Sequence, residues 1–264
     1  MSETTQEKLI VKNNQDKAEK SVFWKPVPTV FLTIGVFLTS QVIGGLLILM
    51  IPSIFGMDKA RSEAWLDTVG AKFGLIILIE LFVLIMLNYL LKRKKRNFKY
   101  LGLKLPKITD FIYALLALGV YFLSFAVVTV VVKAIVPGVN LEQEQQIGFD
   151  TAQQGLSLLL VFLSLVVAAP FVEEVLARGF LYTGLKNGFP KWAAVIITSV
   201  LFAAAHLQFG SGAELLWIAA IDTFILSLVL IYLREKTGGL GAPIMLHMMK
   251  NGIAFTLLFV FQVR

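Results

Sequence analysis

The stretch PFVEEVLARGFLY, residues 170–182, decides how this chain folds. LSLLLVFLSLVVAA (156–169) precedes it, and WAAVIITSVLFAAAH (192–206) follows after a short turn. Both flanks are apolar enough to sit in a bilayer, yet Glu173, Glu174 and Arg178 lie between them. Each charge at a bilayer centre costs roughly 2.5–3.5 kcal/mol on insertion scales, so charges there must pair or act. On a helix Glu174 and Arg178 are four residues apart and share a face, which predicts an ion pair. Glu173 points about 100° away from Glu174 and has no local partner. One carboxylate reads as structural and the other as available.

The rest of the chain agrees with a membrane setting. It has 264 residues, 57% of them hydrophobic and 16% charged, with a mean hydropathy of +0.80. A soluble domain carries closer to a quarter charged residues. Several apolar runs exceed about eighteen residues, the length that crosses a bilayer as a helix. The expected fold is all-α: a polytopic transmembrane helical bundle of about seven spans, or eight if a long segment breaks. The expected spans are about 28–51, 71–91, 110–136, 156–184, 191–209, 213–233 and 241–262. The organisation expected is a cytoplasmic tail (1–27), three transmembrane helices (28–136) and a helical core carrying the chemistry (137–264). With no cysteine, disulfides and thiolate chemistry are excluded. The polar opening residues lack an A-x-A-like cleavage pattern and read as a tail, not a signal peptide.

The net charge of +7 is unevenly spread. Lys8, Lys12, Lys17, Lys20 and Lys25 lie in the tail, and LKRKKRNFKYLGLKLPK (91–107) is the densest basic run. Lys186 and Lys191 flank one turn, and Arg234 and Lys236 another. Alternate loops are acidic or lack bases. The positive-inside rule therefore predicts a cytoplasmic N-terminus in the cell membrane and, with seven spans, an external C-terminus. The charge reads as topological, with membrane lipids as neighbours. Nucleic acid is not an expected partner, because no soluble module carries the charge.

Both histidines of the chain, His206 and His247, fall in expected spans, and Asn251 is one turn beyond His247. Counted from the turn near Gly188, Glu173 is roughly 22 Å deep and His206 roughly 27 Å, so neighbouring antiparallel helices would bring them to similar levels. Phe202 reads as packing. Asp222 and Lys250 are further intramembrane charges, expected to pair with each other.

Three motifs occur in order: EEVLAR (Glu173, Glu174, Arg178), FAAAH (Phe202, His206) and HMMKN (His247, Asn251). They resemble E-E-x-x-x-R, F-x-x-x-H and H-x-x-x-N of the CAAX-protease and bacteriocin-processing family of intramembrane proteases, over about residues 156–262. Ala177 departs from the pattern, where an aromatic residue is expected. The resemblance implies an endopeptidase acting on a membrane-associated or small secreted peptide: pheromone or bacteriocin maturation or immunity, or CAAX-type processing. It implies Glu173 as the base that activates water, His206 as the group that holds that water, and His247 with Asn251 as oxyanion donors. Glu174 and Arg178 would support the site. Amide hydrolysis needs just such a base and donors.

A zinc alternative uses the same residues, with Glu173, His206 and His247 as ligands. The metal-free route is favoured, because Glu174 is already matched by Arg178. A non-catalytic scaffold regulating a sensor kinase or envelope machinery is the competing function. A transporter is disfavoured by the absence of an internal repeat.

Overall fold

The computed structural model describes residues 24–143, 148–149, 152, 154–208 and 215–262. The expected cytoplasmic tail lies almost wholly outside the described residues, as does the join expected between spans near 209–213.

Among the described residues eight helices follow in order: α1 (Pro26–Ile54), α2 (Lys59–Leu66), α3 (Val69–Arg93), α4 (Ile108–Ile135), α5 (Leu156–Lys186), α6 (Lys191–Ala204), α7 (Trp217–Thr237) and α8 (Gly241–Val260). Six of them, all but α2 and α6, are long and apolar enough to cross a membrane. The chain is a multi-pass helical membrane protein. Its surface supports this: Phe31, Leu116, Leu123 and Val130 are each at least 65% exposed. Such a belt would be a liability in water and is ordinary against lipid tails.

Six of the seven expected spans are long apolar helices, and the remaining one is short. The segment expected to span over 191–209 is helical for only fourteen residues, about 21 Å of rise against a hydrocarbon core of about 30 Å. The helix ends at Ala204, and the chain leaves it just before His206.

Local chemistry fixes the ends. Asp58 caps α2 by accepting from the Arg61 amide, and Thr68 caps α3 by accepting from the Ala71 amide. Gly238 ends α7 with φ +66°, a left-handed conformation that an L side chain resists. Pro170 perturbs α5 as an internal proline should. The turns over Leu163–Ala168 and Val175–Leu181 widen to π-helical geometry on either side of it.

Packing joins the two halves of the sequence. α1 and α3 pack closely on each other and on α5, and α4 packs on α7 and α8. One core combines Val36, Val83 and Leu87 with Val172, Val175 and Phe180, and another combines Ala114 and Tyr121 with Leu226 and Leu246.

The described basic segments gather at one end of the bundle. Lys186 and Lys191 bond to Glu235 at 2.6 Å and 3.0 Å, uniting the α5–α6 turn with the end of α7. Arg234 donates to the Leu101 carbonyl at 3.1 Å, bringing in the 94–107 loop. Asn187 donates to the Trp24 carbonyl at 3.2 Å, and Lys94 lies over the Trp24 ring, so α1 also begins there.

Candidate active site

Glu174 and Arg178 occupy the centre of α5, and both are fully enclosed. Arg178 Nη1 donates to Glu174 Oε1 at 2.8 Å, as their spacing predicts. The pair has two further partners. His247 Nδ1 lies 2.9 Å from the same Oε1, and the Arg178 guanidinium lies 4.1 Å from the centroid of the Phe202 ring. An ionised Glu174 only accepts, so this contact sets the tautomer with hydrogen on Nδ1 of His247.

That tautomer turns Nε2 of His247 toward Glu173, whose Oε2 is 3.8 Å away. This is too long for a hydrogen bond, and the contact is an ion pair only when His247 is doubly protonated. Glu173 remains one-third exposed and lines a cavity of about 480 Å³. His206 lines the same cavity, with its Nδ1 2.8 Å from the Phe202 carbonyl and Nε2 left for other partners. The cavity is walled by α1, α5 and α6, with Thr33 and Gln41 on an otherwise apolar wall that includes Phe37 and Leu201. Its lining lies roughly 10–27 Å from the basic end, at 1.5 Å per helical residue.

Thus Glu173, His206 and His247 are brought together, the first two on one cavity and the third behind Glu173. Asn251 is engaged elsewhere: its Nδ2 donates to the Leu165 carbonyl at 2.9 Å. The reason lies in α5. The Ala169 amide reaches back five residues to Ser164, so the next amide in that register would serve Leu165. The next residue is Pro170, which has no N–H. Asn251 supplies the missing donor and ties α8 to α5.

Three features of the site go beyond the roles expected of the motif residues. Phe202 packs against both histidines, with centroids 4.8 Å from His206 and 6.1 Å from His247, besides covering Arg178. Glu80 of α3 stands near enough to Glu173 for their charges to interact. An isolated acid in the apolar run GLIILIELFVLIML was the available signal for it. The α1 wall has no sequence signal. Among the described residues no three His, Asp or Glu side chains stand as a metal-binding set.

Residues 155–253 match the family model for the type II CAAX prenyl endopeptidase Rce1-like domain. This stretch is similar to the Rce1-like domain. The match supports a relation of this part of the chain to the CAAX-protease and bacteriocin-processing family and contains every residue of the three motifs. An uncharacterized 24.3 kDa protein of Escherichia coli is 34% identical over 93 residues, 34% of this chain and 41% of that relative. The UPF0177 protein YaiH of Lactococcus lactis is 26% identical over 236 residues, 88% of each chain. The chain thus covers less than half of the first relative. No solved structure gives a significant match. Within the matched stretch the enclosed Glu174–Arg178–His247 group forms a platform on which Glu173 faces open space.

Proposed function

We propose that the protein is an intramembrane endopeptidase that hydrolyses a peptide bond with water activated by Glu173. The carrying observation is the asymmetry of the two adjacent glutamates. Glu174 is locked between Arg178 and His247, and Glu173 is on a cavity shared with His206.

In this reading Glu173 takes a proton from water held by His206, and the oxygen attacks the substrate carbonyl carbon. The carbonyl oxygen becomes an oxyanion. His247, when doubly protonated, donates to it from Nε2, while Nδ1 stays on Glu174. Asn251 has a second amide hydrogen for the same task. Glu173 then returns its proton to the leaving amine as the C–N bond breaks, which leaves the enzyme unchanged. Preorganised donors of this kind are typically worth about 10²–10³ in rate each. The apolar cavity wall suits a substrate that arrives in or beside the membrane: a small secreted peptide under maturation, an immunity target, or a CAAX-type C-terminus. The tail side is assigned to the cytoplasm of a cell-membrane protein.

The test is cleavage by purified protein in lipid. Glu173→Gln should lose peptide hydrolysis and keep its elution profile and melting temperature, since an amide cannot accept the proton. If Glu173→Gln still cleaves a peptide that wild type cleaves, the base is misassigned and the scaffold reading gains. A membrane-permeable chelator should leave wild-type activity unchanged; loss restored by Zn²⁺ would support the metal route instead.

A further inference from the structure

A second cavity, about 330 Å³, lies at the basic end of the bundle between the ends of α5 and α7. It is lined by Tyr182, Thr183, Lys186, Arg234, Glu235 and Gly238. None of these belongs to the motifs or to the proposed chemistry. Both oxygens of Glu235 are taken, one by Lys186 at 2.6 Å and the other by Lys191 at 3.0 Å. Among the described residues Arg234 forms no ion pair; it donates to the Leu101 carbonyl, and its Nε is enclosed without an acceptor. A largely buried guanidinium without a full counter-charge is costly, and an anion in the adjoining cavity relieves that cost.

The charge balance favours an anion. The ends of α5 and α7 each contribute roughly half a negative charge. Three cations against one carboxylate still leave the region positive. The place also identifies the source of the anion. The cavity is where two membrane-crossing helices end, and Trp192, 72% exposed, follows Lys191, which bonds to Glu235 of the lining. Exposed tryptophan marks the headgroup level, and basic pockets between transmembrane helices take acidic lipid headgroups.

We propose that this cavity binds the phosphate of an anionic phospholipid headgroup, with Arg234, Lys186 and the Thr183 hydroxyl as its donors. The site is independent of the peptidase reading.

The test uses full-length protein in neutral detergent. Phosphatidylglycerol, phosphatidylcholine or inorganic phosphate is added separately, with retention read by native mass spectrometry and melting temperature in parallel. Wild type should retain phosphatidylglycerol and melt higher with it, and phosphatidylcholine should do neither. Lys186→Gln with Lys191→Gln should bind phosphatidylglycerol about tenfold more weakly, the scale of one lost charge-assisted hydrogen bond. Thr183→Val, which keeps the charges, should weaken it less. Equal retention of both lipids by wild type, or unchanged phosphatidylglycerol binding in both variants, would overturn the proposal. A melting shift from inorganic phosphate that phosphatidylglycerol fails to match would assign the cavity to a soluble anion and overturn the lipid source.

Discussion

Adjacent carboxylates with opposite duties require different surroundings, and one helical step supplies them. Glu174 meets Arg178, His247 and no solvent, whereas Glu173 meets the cavity. The pair Glu174–Arg178 therefore belongs to stability, and Glu173 to chemistry. Arg178→Ala should destabilise the protein by about 3–5 kcal/mol, the usual penalty for leaving one buried charge unpaired. Glu173→Gln should change stability little. Equal melting temperatures and yields for the two variants in detergent would contradict this division. Phe202 extends the argument, since its ring covers the guanidinium and touches both histidines. Phe202→Leu should lower the melting temperature and also reduce cleavage, because one cation–π contact, worth about 2 kcal/mol when desolvated, and one wall of the site disappear together.

At the scale of elements, α5 does most of the positioning. Its wide turns and Pro170 release the Leu165 carbonyl, and Asn251 of α8 takes it. Pro170→Ala would supply an amide near Leu165 that competes with Asn251. Slackened α5–α8 docking is the expected outcome, measured as faster amide hydrogen exchange in α8; unchanged exchange would argue that Asn251 is not what holds the helices. On the opposite side α5 meets α1 through Gly184, where a Cβ would run into the Thr29 side chain. Gly184→Val should push α1 away, and with it the Thr33–Gln41 wall of the catalytic cavity. A melting temperature equal to wild type would show that α1 adjusts without cost.

Across the whole molecule, the polar contacts knit helices that are far apart in sequence. Tyr121 of α4 donates to Asp222 of α7, and Lys250 of α8 donates to the other Asp222 oxygen at 2.7 Å. This is the pairing expected of Asp222 and Lys250, with Tyr121 added. It holds α8 three residues from His247. Asp222→Asn or Lys250→Met should each cost about 1–2 kcal/mol, near the upper range for polar contacts between membrane helices. A double-mutant cycle should show that the costs are not additive. Additive costs would mean the two side chains do not act on each other.

Legible in the sequence were the helical membrane class, the Glu174–Arg178 pair and the similar depth of Glu173 and His206. These follow from run length, a four-residue spacing and helical rise, which are local quantities. It also placed the four basic segments at one end, because topology is written in Lys and Arg counts; the structure joins the described parts of all four there. Tertiary structure alone decided the rest. The short reach of α6, the second bond from Glu174 to His247, the diversion of Asn251 to Leu165 and the α1 wall each depend on where a distant helix lies. Glu80 shows the boundary between the two: its presence in an apolar run was legible, but its neighbour Glu173 is ninety-three residues away. Periodicity describes which face of a helix is special, and only packing specifies which other helix that face meets.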